Sequence, residues 1–167
     1  SIKGLCNYMT ANPARQRKIL RDFKYPDPEG FAQAGYYREA REFIAEYHRK
    51  GHPEEWLEGQ AALIGGLAAS SSGQVKTRLN HNARVLRAYH KHFRRNQYQV
   101  LQDLRLELTY DDVRISIVPD LHIKEARREK IVKLEFAKDA PASVLVKIMS
   151  QAMFEAARQG GMKLKPG

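Results

Sequence analysis

A chain of 167 residues, 43% hydrophobic and 29% charged, is long enough to form one domain with a sizeable core. Its single cysteine, Cys6, excludes an internal disulfide framework and any all-cysteine zinc or iron–sulfur site. The formal net charge of +10 suits a polyanionic partner, and no run approaches the ~20 apolar residues that cross a bilayer as a helix.

Residues 1–23 read as one or two short helices. Asn12 is placed to cap the second, with Pro13 at its first position. Arg15, Arg17, Lys18, Arg21 and Lys24 give that helix a basic face, and Ile19, Leu20 and Phe23 give it an apolar stripe. The Pro and Gly content of Tyr25–Gly30 marks a turn. Tyr36, Ala40, Phe43, Ile44 and Tyr47 stand at helical spacing within Phe31–Lys50, and Gly51-His52-Pro53 ends that run. Trp56, Leu57, Leu63, Ile64 and Leu67 predict a further amphipathic helix, followed by a surface loop at Ala68–Gly73.

Gln74–Asn96 predicts a long helix with Val75, Leu79, Leu86, Tyr89 and Phe93 inward. Its other faces carry Lys76, Arg78, Arg84, Arg87, Lys91, Arg94 and Arg95. Of these, Arg78, Arg84, Lys91, Arg94 and Arg95 are the expected phosphate contacts, with DNA as the partner and RNA as the other polyanion of the same charge. His81, His90 and His92 lack the i, i+4 pairing with an acid that makes a zinc helix, and they read as surface residues.

Leu104–Tyr110 alternates Leu104, Leu106 and Leu108 against Arg105, Glu107 and Thr109, a strand that turns at Tyr110-Asp111-Asp112. Val113–Lys138 then reads as two strands joined by a charged hairpin, Lys124–Lys130. The first sets Val113, Ile115 and Ile117 against Arg114, Ser116, Val118 and Asp120. The second sets Val132, Leu134 and Phe136 against Ile131, Lys133, Glu135 and Ala137. If these strands pair, Asp120 and Glu135 approach one another near a sheet edge. Two hard oxygen ligands beside a lysine are what magnesium-assisted phosphodiester hydrolysis needs. Pro141 opens the last helix, whose Val144, Leu145, Ile148, Met149, Ala152 and Ala156 form a sheet-covering face. Gly160-Gly161 ends it, and Met162-Lys163-Leu164 reads as a final edge strand. The expected fold class is α+β: a helical N-terminal half packed on a small mixed β-sheet with a covering helix, in a single domain.

Pro119-Asp120-Leu121, a turn, and an apolar strand carrying Glu135 together resemble the PD-(D/E)xK nuclease superfamily, its RecB-like branch most closely. The resemblance implies a restriction-endonuclease-like core over about Gln74–Leu164: a helix, three strands, a helix and a further strand. It implies that Asp120 and Glu135 hold Mg2+ or Mn2+, that Glu107 is a lesser metal candidate, and that DNA phosphodiester bonds are cut. The family places a lysine two residues after the second acid, where this chain has Ala137. Lys133, on the face of Glu135, is the candidate replacement, while Lys138 falls on the opposite face. The family also implies a glutamine on the last helix reaching toward the acids; Gln151 takes that place, with Glu155 where the pattern has an aromatic residue. Tyr8 ahead of Pro13 is loosely similar to the opening Tyr-x-x-Cys-Pro of RecB-like nucleases, without the cysteine.

Two other readings stand beside the nuclease. One keeps the fold as a non-catalytic nucleic-acid-binding or interaction module, which Ala137 favours. The other makes the sheet structural, with Asp120 ending a strand and Glu135 pairing with Lys133 or Arg114. Ser1–Thr10 has no apolar core of a secretory signal, so the expected location is the cytoplasm.

Overall fold

Apolar spacing and its punctuation set the helical half. The computed structural model describes residues 1–25, 35–96, 98–110, 113–136 and 141–164. Ser1 caps α1 (Ile2–Met9), its hydroxyl accepting from the Gly4 N–H. Asn12 Oδ1 accepts from the Arg15 N–H at 3.0 Å and Pro13 opens α2 (Pro13–Lys24), as the sequence predicts. α3 (Arg38–Lys50) ends at Gly51, whose φ of 60° is the left-handed conformation that glycine takes without strain. α4 (Trp56–Ala69) and α5 (Gly73–Phe93) follow, joined by a short connection, and pack extensively on each other.

These three helices enclose the first core, built on Ala40, Ile44, Tyr47, Leu57, Ile64 and Leu86. A polar residue lies among them. Asn82 of α5 is 0% exposed and fully engaged. Its Oδ1 accepts from the Ala40 N–H at 2.9 Å, and its Nδ2 donates to the carbonyls of Tyr36 at 2.7 Å and Arg78 at 2.9 Å. Tyr37, at the start of α3, makes no side-chain cap, so Asn82 satisfies a first-turn donor of α3 from another helix.

The strands depart from expectation in three ways. All described pairings are antiparallel, and they form two sheets instead of one mixed sheet: β2 (Leu106–Tyr110) with β3 (Val113–Ile117), and β1 (Gln99–Val100), β4 (Leu121–Glu125) and β5 (Arg128–Val132) in the order β1-β4-β5. The charged run Lys124–Lys130 is the expected hairpin, but the strands reach further into it than the sequence suggests. It contributes the end of β4, a two-residue turn at Ala126-Arg127 and the start of β5. Both turn residues have positive φ, 45° and 69°, which matches the twist of a tight hairpin. Finally, residues 133–136 and 162–164 lie outside any strand, so β5 stops short of Glu135 and no edge strand forms at Met162–Leu164.

α6 (Ser143–Gln159) covers the smaller sheet, and the second core joins Ala152, Met153 and Ala156 of α6 to Leu106, Ile117, and Ile2 and Cys6 of α1. Val144, expected on the covering face, is half-exposed, as are Val75 and Phe93 at the two ends of α5. The fold class is α+β. Asp111, Asp112, Ala137, Lys138 and most of the Tyr25–Gly30 turn lie outside the described residues.

Two predictions follow from these cores. Asn82→Ala strips one donor and two acceptors of their partner inside a packed core and is expected to cost about 2–4 kcal/mol, read as a lower urea midpoint at unchanged m-value. His48 is buried with its Nε2 2.7 Å from the Tyr89 hydroxyl, and burial pushes its imidazole down from the ordinary 6.5 to about 4. Between these values the unfolded chain binds a proton that the folded chain refuses, so the His48 contribution is present above pH ~6.5 and is lost as pH falls toward 4. The loss is about 3 kcal/mol. Unfolding curves across that window are expected to be flatter for His48→Gln than for the unmodified chain.

Candidate functional site

The end of the β4–β5 ladder carries the residues the sequence singles out. The Asp120 N–H donates to the Val132 carbonyl at 2.9 Å, continuing the hairpin pairing by one step beyond β4. Its carboxylate is 7% exposed and bonded on both oxygens. Oδ2 accepts from the Leu134 N–H at 2.7 Å and Oδ1 accepts from Lys133 Nζ at 3.1 Å. The Arg41 guanidinium of α3 stands 3.1 Å from Oδ1 as an ion pair. Lys133 donates in addition to the Val118 carbonyl at 3.0 Å, and Arg41 lies over the Phe136 ring at 5.3 Å. The carboxylate thus takes the N–H that a strand partner would otherwise accept, which is why β5 leaves the ladder here.

The other expected site residues go elsewhere. Glu135 pairs with Lys3 of α1 at 3.4 Å, not with Lys133 or Arg114. Glu107, exposed on β2 opposite Ser116, lines a cleft of about 860 Å3 shared with Arg105, His122, Glu129 and Gln159. Glu135 and Lys133 line a different groove, between α5 and the hairpin. Gln151 donates to Glu155 at 3.0 Å on the surface of α6. Among the described residues, no three His, Cys, Asp or Glu side chains gather closely enough to hold a metal ion.

The Asp120 surroundings therefore do not fit a hard divalent cation. Such an ion would displace an ammonium and a guanidinium already within 3.1 Å of the carboxylate, and would face their like charge in a poorly solvated place. The arrangement suits a strut: one buried anion holding two cations and a backbone donor.

The basic residues divide as sharply. Arg78 is committed to Glu39, Arg87 to Glu58 at 3.1 Å and Arg94 to Glu54 at 3.8 Å. Arg84, Lys91 and Arg95 have no acidic partner among the described residues. Their spacing of i, i+7 and i+11 places them along one side of α5 and its C-terminal end. Arg15, Arg17, Lys18 and Lys24 are also without acidic partners among the described residues, on a helix that buries none of its side chains.

Sequence reasoning missed Arg41 and Lys3 as partners of the two acids. Both contacts join residues far apart in the chain; the one local hint is that Arg41 flanks the inward stripe of Ala40, Ile44 and Tyr47. No helix among the described residues is long and apolar enough to cross a membrane. No family model, curated protein or solved structure matches the chain.

A strut and a metal ligand differ in what magnesium does to them. Asp120→Asn is expected to cost about 1–3 kcal/mol of stability, through weaker bonds to Lys133, Arg41 and the Leu134 amide. The loss should be the same with and without Mg2+, measured by thermal unfolding. A magnesium-dependent stabilisation of the unmodified chain that vanishes in Asp120→Asn would make the carboxylate a metal ligand.

Proposed function

We propose that this chain is a nucleic-acid-binding module that holds the phosphate backbone electrostatically, with Asp120 acting as a structural strut. The observation that carries the reading is the sorting of charge on α5. Its glutamate-paired arginines are tied to α3, to α4 and to the connection between them, while Arg84, Lys91 and Arg95 remain together on one side. Arg84 and Lys91 stand about 10 Å apart along the helix and Arg95 follows just past its end, a span long enough to meet several phosphates along a strand. The net charge of +10 adds long-range attraction to the same partner.

Metal-dependent hydrolysis, implied by the PD-(D/E)xK resemblance, draws less support. It needs Asp120 as an open ligand, and the carboxylate is occupied by Lys133, Arg41 and the Leu134 amide. Lys133, offered as the displaced catalytic lysine, is itself held by Asp120 and the Val118 carbonyl.

Fluorescence anisotropy with a labelled oligonucleotide tests the proposal. Affinity should fall linearly with the logarithm of salt concentration. Replacing Arg84, Lys91 and Arg95 together by glutamine should reduce that slope by about 2–3 units, since each phosphate contact contributes roughly 0.7–0.9. Arg78→Gln should instead lower stability and leave the slope nearly unchanged. An unmodified chain that binds no oligonucleotide at low salt removes nucleic acid as the partner.

A further inference from the structure

We propose that the groove between α5 and the β4–β5 hairpin accepts an unpaired base of a single-stranded nucleic acid, with its neighbouring phosphates on the Arg84, Lys91 and Arg95 column. The inference rests on the nucleic-acid reading above and deepens it, naming the strandedness of the ligand and where its bases go.

The groove has a volume of about 460 Å3 and four aromatic side chains in its lining, Tyr89, Phe93, Tyr98 and Phe136. These rings are held by neighbours. Phe93 stacks on Tyr89 with centroids 4.9 Å apart, yet keeps 42% of its surface exposed. Phe136 rests against Tyr37 at 5.3 Å and under the Arg41 guanidinium. The Tyr98 hydroxyl accepts from Asn96 at 2.7 Å. Rings already fixed lose little freedom when a planar ligand stacks on them, and every base offers such a face.

Charge sets the direction of the strand. The charged residues in the groove lining are already paired, Glu125 with Lys130, Glu135 with Lys3 and Lys133 with Asp120, so among the described residues the groove offers a phosphate no free cation. Ala88 and His92 line the groove from α5, and Arg84 and Lys91 occupy the adjoining column of the same helix, with Arg95 just past its C-terminal end. A strand laid along α5 therefore sets its backbone on the cationic column and turns its bases over Ala88 and His92 into the aromatic lining. Bases paired inside a duplex cannot make that turn. An acidic peptide would satisfy the column but leave the rings without a partner, so the aromatic lining favours nucleic acid.

The test compares one labelled single-stranded oligonucleotide, its duplex and an abasic strand of the same length at low salt. The single strand should bind about tenfold tighter than either of the others. Phe93→Ala should weaken the single strand about fivefold or more, leave the duplex unchanged and keep the salt slope; Phe93→Trp should restore the affinity. Thermal unfolding of both variants establishes that they fold, and the abasic strand tests stacking without any substitution. Equal binding of the abasic and normal strands, or a folded Phe93→Ala that binds the single strand undiminished, overturns the base site and leaves the electrostatic reading standing. Competition by polyglutamate as effective as by the single strand overturns it in favour of an acidic peptide. Failure of the unmodified chain to bind any of the three strands overturns both readings.

Discussion

The Asp120 carboxylate is the constraint on which the hairpin and the helical core both depend. It meets Arg41 from α3, Lys133 and the Leu134 amide from the chain leaving β5, and Lys133 carries the link on to the Val118 carbonyl before β4. One buried anion thereby ties three segments together at the point where Leu121, Ile123, Val132, Leu134 and Phe136 come against the first core. Each partner compensates the desolvation of the others, and removing one leaves a buried charge exposed to a poor solvent. The same contacts engage both oxygens of the carboxylate.

The helices were legible because their signals are local. Period 3.6, an Asn-Pro start at α2 and a glycine stop at α3 all lie within a few residues of what they specify. The hairpin at Lys124–Lys130 was legible, but the bounds of its strands and its tight turn were not, for two reasons. Its turn residues, Ala126 and Arg127, adopt positive φ without the Asn or Gly that usually announces such a turn. In addition, Leu121, His122 and Ile123 are buried in succession, which erases the alternation that marks a strand with one solvated face. The strand Leu121–Glu125 was therefore absorbed into the end of the preceding strand and the charged hairpin, and the pairing of β3 with β2 instead of with the strand after the turn was not foreseen.

The candidate site was legible only as a set of residue types. Asp120 stands at a strand end and Lys133 shares its surroundings, much as spacing implied, but their meaning depends on Arg41, which lies in a different half of the chain. The basic face of α5 behaves in the same way. Arg78 and Arg84 look equivalent in sequence, and only the position of Glu39 on α3 decides that the first is consumed within the fold while the second is left facing outward.

Asn82 has a consequence for how this architecture can vary. The start of α3 borrows its hydrogen-bond acceptor from the middle of α5, so neither helix is a self-sufficient segment. Loops between them can lengthen or shorten at little expense, because closure entropy grows slowly with length. The two helices themselves form a single heritable unit: grafting α3 into another scaffold without its asparagine donor helix would import a frayed end, and recombination between residues 40 and 82 would separate a lock from its key.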